Sequence, residues 1–151
     1  MSQFFYIVSE LNGFVLDISQ AMQGGQLVNN PTNGMPSQLW RWDGSGRLVS
    51  KQGLYADIQG GKKNPGTPVI GWSGNDGLNQ KWVYEGGFIK SSLNGFVMDV
   101  ANENRNPGGS IITYPKNGKA NQKWKIVPEG AWNAPPLYAP PSYGPPGVYG
   151  W

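Results

Sequence analysis

The sequence predicts an all-β fold made of three similar four-stranded units around a threefold axis. The first observation is a Gln-x-Trp tripeptide that recurs at a constant spacing of 42 residues, as Gln38-Leu39-Trp40, Gln80-Lys81-Trp82 and Gln122-Lys123-Trp124. The second is the punctuation of the chain by Gly and Pro, between stretches rich in Val, Ile, Tyr, Phe and Trp. A period of this length indicates a repeat architecture, and short apolar stretches between turn residues are typical of strands.

Twelve strands are expected up to residue 127, four in each unit, and no segment shows a helical period. They start near Phe4, Gly13, Gln26 and Gln38, near Arg47, Leu54, Pro68 and Gln80, and near Phe88, Gly95, Ser110 and Gln122. The repeats therefore span about 4-45, 46-86 and 87-128, within a domain of residues 1-128. Asn12-Gly13 and Asn94-Gly95 predict tight hairpin turns, since both residue types accept a positive φ.

The three repeated Trp residues are expected to form the centre of the core. A four-stranded unit of about 40 residues cannot bury its apolar face alone, whereas three units closed on each other can. Trp40, Trp82 and Trp124 occupy the same position in each unit. At about 25 cal/mol per Å² and roughly 150–250 Å² per ring system, burial contributes at most about 4–6 kcal/mol for each.

Composition argues against several functional classes. The chain has 151 residues, a net charge of +3, no Cys and no His. This charge is too small to favour nucleic acid as a partner, and the cluster of Lys116, Lys119, Lys123 and Lys125 is interpreted as a solvated face. Without Cys and His, neither a disulfide nor a metal or cofactor is expected. The absence of Cys, of a signal peptide and of a transmembrane segment favours a cytoplasmic or non-classically secreted protein.

One Asp stands at the same position of each repeat, in an otherwise apolar strand: Asp17, Asp57 and Asp99. A buried carboxylate without a partner is costly, and three at equivalent positions favour a role in a pocket. A carboxylate can accept hydrogen bonds from two vicinal hydroxyls, which a sugar diol offers. The alternative is that each Asp faces solvent or caps a turn.

Aromatic and amide side chains recur at matched positions in two of the repeats. Trp72 and Tyr114 lie eight residues before the motif Gln, where an exposed ring can stack on the apolar face of a pyranose; a packed, half-buried ring is the alternative. Asn79 and Asn121 directly precede that Gln and can both donate to and accept from hydroxyls. The motif Gln itself is expected to brace the Asp from behind.

These repeats resemble the ricin-type (ricin B-like) lectin family, over residues 4 to about 127. The resemblance implies a β-trefoil that binds galactose-type or N-acetylgalactosamine-type glycans and has no catalytic activity. It assigns one sugar site to the second repeat and one to the third. Their residues are Asp57, Trp72, Asn79 and Gln80, and Asp99, Tyr114, Asn121 and Gln122.

The first repeat departs from the family pattern. Asp17 and Gln38 are present, but Asn30 takes the aromatic position and Ser37 the Asn position. Loss of stacking and loss of one amide can each remove about 1 kcal/mol or more. We therefore expect two competent shallow sites and one weak or inactive site, with a dissociation constant of roughly 1 mM at each competent site.

Glycoside hydrolysis is an alternative, because that chemistry needs two carboxyl groups about 5–10 Å apart. The three repeated acids lie in separate units. Each pocket is therefore expected to hold one carboxylate and no second acid. Such a pocket binds a sugar without cleaving it.

A Pro/Tyr-rich tail follows the repeats, over residues 129-151. Its Pro density excludes helix and favours polyproline II. Two Pro-Pro-x-Tyr sequences, with Pro135, Pro136 and Tyr138 and with Pro140, Pro141 and Tyr143, resemble ligands of WW domains. The alternative function is therefore an adaptor that recruits a WW-domain protein. Docking of the tail on its own domain or within a homodimer, and a passive linker, are the other interpretations.

Overall fold

The structure, a computed structural model, describes residues 3–131 and contains twelve strands, four in each repeat. The strands of the first repeat are β1 (Phe5–Ser9), β2 (Val15–Ile18), β3 (Leu27–Asn30) and β4 (Trp40–Trp42). Those of the second are β5 (Leu48–Ser50), β6 (Tyr55–Ile58), β7 (Thr67–Trp72) and β8 (Trp82–Glu85). Those of the third are β9 (Phe88–Ser91), β10 (Val97–Val100), β11 (Gly109–Tyr114) and β12 (Trp124–Pro128). Every strand starts within two residues of its predicted position.

Six of the strands form a closed ring. β1 pairs antiparallel with β4 and β12, β4 with β5, and β8 with β9. A bridge between Arg47 and Lys81 joins β5 to β8, and the Trp124 amide donates to the Gly87 carbonyl at 2.8 Å, which joins β12 to the start of β9. The β1–β12 register runs from Phe5 opposite Pro128 to Ser9 opposite Trp124. This last pairing closes the ring between the two ends of the domain.

The other six strands form three hairpins, β2–β3, β6–β7 and β10–β11. The hairpins meet one another: Gly109 lies opposite Asn29, Ile112 lies opposite Pro68, and a bridge joins Gln26 to Ile70. A six-stranded ring with three such hairpins is a β-trefoil. The predicted fold class is thereby confirmed.

The centre of the core is formed by Trp40, Trp82 and Trp124, which are all fully buried. Each indole N–H also donates a hydrogen bond to a backbone carbonyl of its own repeat, to Leu16 at 3.0 Å, Ala56 at 2.9 Å and Met98 at 3.3 Å. These three acceptors directly precede the three repeated Asp residues. The predicted core positions are therefore confirmed, and each Trp also anchors the strand that carries the Asp.

The described residues contain seven single 3₁₀ turns, six of them between strands, and no α-helix. The sequence pattern did not predict these turns. Three follow the Asp strands (Ser19–Ala21, Gln59–Gly61 and Ala101–Glu103), three end at the motif Gln (Pro36–Gln38, Leu78–Gln80 and Ala120–Gln122), and one follows β12 (Glu129–Ala131). They are too short to produce a helical period, so no amphipathic signal marks them.

The Asn-Gly hairpin turns form, but in a different way from the one predicted. Gly13 and Gly95 adopt φ of 77° and 80°, whereas Asn12 and Asn94 do not have a positive φ. Instead, the side-chain oxygen of each Asn accepts a hydrogen bond from the backbone N–H two residues on, at 3.0 Å in both turns. The Asn therefore acts through its side chain, as an Asx-turn, and only the Gly supplies the left-handed conformation.

A backbone hydrogen bond holds the chain to the trefoil at residue 129, one residue after the predicted end of the domain at residue 128. The Glu129 amide donates to the Phe4 carbonyl at 3.1 Å. Residues 132–151, which include both Pro-Pro-x-Tyr sequences, lie outside the described residues. Among residues 3–131, no helix is long and apolar enough to cross a membrane.

Candidate functional site

The three repeated carboxylates lie at equivalent, buried positions on β2, β6 and β10. Asp17, Asp57 and Asp99 are each no more than 5% exposed. The remaining three residues of β2 and the remaining three of β10 are also buried. A carboxylate at such a position must be stabilised by hydrogen bonds, so the partners of each Asp decide what it can still bind.

The motif Gln is the partner that all three carboxylates share. Gln38, Gln80 and Gln122 are fully buried, and each Nε2 donates to Oδ2 of the Asp, at 3.1, 2.8 and 2.8 Å. The structure thus places each Gln against the Asp of its repeat, where the sequence predicted a brace. Its contribution to sugar binding remains a prediction.

The same Gln also holds the loop that precedes it. The Oε1 of Gln80 accepts from the Asn75 amide at 2.8 Å, and its Nε2 donates to the Ser73 carbonyl at 2.8 Å. Equivalent bonds to Oε1 come from the amides of Asn33 and Asn117, both at 2.7 Å. One buried side chain therefore fixes both the carboxylate and the loop that borders it.

The second repeat brings its predicted residues together in a cavity of about 370 Å³. Asp57, Trp72 and Asn79 line it, and Trp72 is 42% exposed. Trp72 lies on β7 opposite Tyr55 of β6, two residues before Asp57. Asn79 Nδ2 donates to Asp57 Oδ1 at 3.2 Å and makes a longer contact of 3.4 Å with the Ile58 carbonyl. The result is a carboxylate, an amide and an exposed ring around one depression.

The third repeat repeats this arrangement in a smaller cavity of about 200 Å³. Asp99, Tyr114 and Asn121 line it, and Tyr114 is 43% exposed. Tyr114 lies opposite Val97, the position that corresponds to Tyr55. Asn121 Nδ2 donates to Asp99 Oδ1 and to the Val100 carbonyl, both at 3.1 Å. In each of these two repeats the predicted Asp, aromatic residue and Asn therefore line one pocket, whereas the predicted Gln is fully buried and is not among the lining residues.

The first repeat also has a cavity, of about 210 Å³, but its carboxylate is bonded differently. Asp17 Oδ1 accepts from Ser37 Oγ and from the Ile18 amide, both at 2.7 Å. Asp17 Oδ2 accepts from Asn30 Nδ2 and Gln38 Nε2, both at 3.1 Å. Asn30 lies opposite Val15, which confirms that it occupies the position of Trp72 and Tyr114.

The number of hydrogen bonds already accepted separates the three carboxylates. A carboxylate has about four acceptor positions. At Asp17, donors within the described residues occupy four acceptor positions. At Asp57 and at Asp99 they occupy two, because the Asn of the same repeat donates to one carboxylate oxygen and the Gln donates to the other. Asp57 and Asp99 therefore keep acceptor capacity toward their pockets that Asp17 has lost.

Burial also changes the acidity of the two under-bonded carboxyl groups. It raises the pKa of Asp57, and hydrogen bonds from Gln80 and Asn79 lower the pKa only in part. Burial raises the pKa of Asp99 as well, against hydrogen bonds from Gln122 and Asn121, and the negative charge of Glu103 adds to the increase. A raised pKa means that the surroundings stabilise the charged form less than water does. Further donors from a ligand would therefore stabilise both carboxylates.

Several pocket residues were missed by sequence reasoning. The turn of Gln59, Gly60 and Gly61 lines the second pocket, as does Asn75. The corresponding residues of the third pocket are Asn102, Glu103 and Asn117, and those of the first are Gln20, Ala21 and Asn33. One available signal was the Asn that stands five residues before the motif Gln in all three repeats.

The expectation of a single acid per pocket is wrong for the third repeat. Glu103 lines that pocket together with Asp99. It lies in the turn after β10, whose residues Asn102 and Glu103 have left-handed φ values of 59° and 51°. The sequence argument against catalysis, which depended on one carboxylate per pocket, therefore does not hold there. Within residues 3–131, no group of three or more acidic, His or Cys side chains is placed to hold a metal ion.

The second pocket is supported from two neighbouring parts of the chain. The Gly24 amide donates to the Gly71 carbonyl and the Gly71 amide to the Gly25 carbonyl, both at 2.8 Å, so a loop of the first repeat lies beside Trp72. From the other side, Arg47 donates to the Asn75 carbonyl at 3.0 Å while it pairs with Asp43 at 2.8 Å. The strand that carries the ring and the loop that borders the pocket are thus held from outside the site.

Comparisons with known proteins agree with this fold. The profile of the ricin-type beta-trefoil lectin domain matches residues 3–124. Among solved structures, the designed threefold-symmetric protein ThreeFoil is 28% identical, with a TM-score of 0.77, and the match covers 83% of this chain and 99% of that one. The C-terminal half of an earthworm R-type lectin, solved with GalNAc, is 27% identical, with a TM-score of 0.71 and coverage of 85% and 100%.

A third similar structure belongs to a larger protein. It is an exo-beta-1,3-galactanase from Clostridium thermocellum, 30% identical with a TM-score of 0.75. The match covers 84% of this chain but only 30% of that enzyme. A search of curated protein sequences gave no match.

Proposed function

This chain belongs to the ricin-type β-trefoil lectin family, and from that premise we propose that it recognises galactose-type or N-acetylgalactosamine-type glycans at two shallow sites. The sites are the pockets of the second and third repeats. The pocket of the first repeat is weak or inactive in this proposal, and no site is catalytic.

The observation that carries the proposal is the free acceptor capacity of Asp57 and Asp99 beside an exposed ring. Each carboxylate is fixed by one Asn and one Gln and still has positions open toward the pocket. Two vicinal hydroxyls of a sugar would fill those positions with charge-assisted hydrogen bonds. The rings of Trp72 and Tyr114 offer an apolar face to the C–H groups of the same sugar.

The similar structures support the choice of sugar. The earthworm lectin half was solved with GalNAc, and a mutant of that domain, 26% identical to this chain, was solved with 6'-sialyllactose. Both ligands are carbohydrates, and GalNAc is of the proposed class. A hydroxyl-rich ligand also suits pockets that hold a carboxylate and amides within a depression of a few hundred cubic ångströms.

The test is an NMR titration of isotopically labelled full-length protein with galactose and N-acetylgalactosamine. We expect shifts at Trp72, Asn79, Tyr114 and Asn121, with Asn30 and Ser37 unchanged. Replacing Trp72 with Ala should silence the second pocket and leave the third unchanged, and Tyr114→Ala should do the reverse. Each variant is the control for the other. Shifts confined to residues outside both pockets would contradict the proposal.

The absence of catalysis needs its own test, because Glu103 gives the third pocket a second acid. We expect the protein to leave galactose-containing oligosaccharides intact during prolonged incubation, as judged by mass spectrometry. Release of monosaccharide that is lost in Asp99→Asn would instead identify the third pocket as a glycosidase site.

A second candidate function is favoured by the two Pro-Pro-x-Tyr sequences of the tail. In this alternative the trefoil is a scaffold, and the tail recruits a WW-domain protein. The full chain should then bind an isolated WW domain, and substitution of Tyr138 and Tyr143 by Ala should remove that binding while sugar binding persists. No binding to any of a panel of WW domains would count against the adaptor function.

A further inference from the structure

The third pocket differs from the second by a charged side chain on its wall. Ala21, Gly61 and Glu103 stand at the same position of the three repeats, four residues after the Asp. All three have a left-handed backbone, with φ of 48°, 61° and 51°. The pocket of the second repeat therefore has no side chain at this point, whereas that of the third has a carboxylate.

A second difference is an unsatisfied acceptor on Asn121. Its Nδ2 is used by Asp99 and by the Val100 carbonyl, while its Oδ1 is buried and has no hydrogen-bond partner among the described residues. Asn121 is 4% exposed and lines the pocket, whereas Asn79 is only half-buried. A buried acceptor without a partner is costly, so a ligand that donates to it gains affinity.

No cationic residue lines the third pocket to balance its charge. Glu103 pairs with Lys119, whose Nζ lies 3.7 Å from Glu103 Oε2, and both side chains are more than half exposed. An exposed pair of this kind interacts weakly. After burial, the negative charge of Glu103 also contributes to raising the pKa of Asp99.

We propose that the third pocket selects amino sugars with a free, protonated amine, such as galactosamine, over neutral and anionic sugars. This inference rests on the proposed function, since it names the ligand class of one of the two sites. An ammonium group has three donors and no acceptor, which matches the acceptors of Asp99, Glu103 and Asn121. The face of Tyr114 in the same pocket also favours a cation. The second pocket has no counterpart of Glu103 and does not discriminate in this way.

The experiment compares galactosamine, galactose and N-acetylgalactosamine in NMR titrations of the labelled full-length protein at about pH 6. Asn79 reports on the second pocket and Asn121 on the third in the same sample. We expect galactosamine to bind the third pocket about fivefold more tightly than galactose does, an effect typical of one solvent-accessible charge pair. The second pocket should bind the two sugars with equal affinity. Added salt should reduce the preference at the third pocket.

Three variants test the assignment to Glu103. Glu103→Gln should abolish the preference for galactosamine at the third pocket, while galactose binding persists at the second pocket, which Glu103 does not line. Lys119→Gln should increase the preference, because it removes the exposed partner of Glu103. Glu85→Gln changes the net charge by the same amount as Glu103→Gln, but Glu85 lines neither pocket. This control variant should leave the preference for galactosamine unchanged.

Three outcomes would overturn the inference. Equal affinities at the third pocket, with galactose still bound at the second, would refute the amino-sugar preference and leave the lectin function intact. Binding of free lysine to the third pocket as tightly as galactosamine would show a general ammonium site instead of a sugar site. Failure of every sugar to bind at either pocket would refute the proposed function together with this inference.

Discussion

Asp57 and Asp99 differ from Asp17 in how many hydrogen bonds the protein itself donates to them. Ser37 donates to Asp17 in place of the Asn of the other repeats. The two extra donors at Asp17 are Asn30, which stands at the aromatic position, and the Ile18 amide. A hydrogen bond to a charged group is worth about 1.5–3 kcal/mol. A sugar that approached Asp17 would have to displace such bonds, whereas at Asp57 and Asp99 it would add to them.

The first residue-scale prediction concerns Asp57→Asn. The amide that replaces the carboxylate removes the charge, and it cannot accept from Asn79 and Gln80 with both of its terminal atoms. We expect N-acetylgalactosamine affinity at the second pocket to fall at least about tenfold, the equivalent of one lost charge-assisted hydrogen bond. NMR titration measures this loss. Asp99→Asn should give the same loss at the third pocket only, and an unchanged affinity in both variants would contradict the role of the carboxylates.

The second prediction concerns pH. Burial raises the pKa of Asp57 and Asp99, so protonation begins above the ordinary Asp value of about 3.9. Because sugar hydroxyls donate to the charged form, binding should be complete well above the raised pKa and should be lost as the pH falls through it. Sugar titrations at a series of pH values give the midpoint. An affinity that stays constant as the pH falls below the ordinary Asp pKa would show that the carboxylates do not control binding.

Folding stability has the opposite dependence on these two groups. Since their pKa values are higher in the folded than in the unfolded protein, the folded state binds protons more tightly. Their contribution to the free energy of unfolding is therefore largest below the ordinary Asp pKa and declines as the pH rises through the raised values. Binding and stability are thus expected to respond to these carboxyl groups in opposite directions.

At the scale of elements, the Gln-x-Trp motif holds the Asp strand at two adjacent points. In the second repeat, Trp82 donates to the carbonyl of Ala56, and Gln80 donates to the carboxylate of Asp57. Trp82 lies at the start of β8 and Gln80 at the end of the turn before it, so these two elements together hold two consecutive residues of β6. This explains in physical terms why the motif recurs once in each repeat together with an Asp.

The prediction at this scale is that Gln80→Ala destabilises the fold as well as the site. The change leaves Asp57 Oδ2, the Ser73 carbonyl and the Asn75 amide without their partner. We expect the free energy of unfolding to fall by about 2–4 kcal/mol, measured by urea denaturation. Gln122→Ala should cost a similar amount because its bonds are equivalent. A loss below about 0.5 kcal/mol in both variants would contradict this role.

A second prediction concerns the first repeat, where the double variant Asn30→Tyr with Ser37→Asn restores the residue types of the third. The change removes the Asn30 donor to Asp17 and supplies a ring in its place, and it replaces the Ser37 hydroxyl with an amide like that of Asn121. We expect measurable N-acetylgalactosamine binding near Asp17, at roughly 1 mM, by NMR titration. The parent protein is the control. Continued absence of binding in a folded double variant would show that the donors to Asp17 do not explain its inactivity.

The fold could be predicted in detail because strand positions depend on local patterns, which the spacing of Trp and Gly makes visible. The grouping of Asp57 with Trp72, and of Asp99 with Tyr114, could be predicted from the resemblance to the ricin-type lectin family, because the motif aligns the repeats with the family pattern. The four hydrogen bonds to Asp17 could not be predicted from the sequence, because they depend on the distances between the donors and the carboxylate in the folded chain. Glu103 was missed for a similar reason, since its place on the pocket wall depends on how the turn after β10 folds against the pocket.

At the scale of the whole molecule, no repeat builds its pocket alone. The loop after each Asp strand donates to the aromatic-bearing strand of the next repeat: Gly24 to Gly71 and Gly66 to Thr113, both at 2.8 Å. Gly108 closes the circle by donating to Asn29 at 3.0 Å. The pockets are therefore fixed relative to one another on one body. Two competent sites on such a body would increase the avidity for a multivalent glycan without new contacts.

The measurement that tests the central claim most directly is a crystal structure of the protein with N-acetylgalactosamine at saturating concentration. We predict a sugar in the second and third pockets, with hydroxyl oxygens about 2.5–3.0 Å from the carboxylates of Asp57 and Asp99. The rings of Trp72 and Tyr114 should lie against the sugar, and the pocket at Asp17 should be empty. A sugar bound at Asp17 as fully as at the other two, or bound only outside all three pockets, would contradict the account.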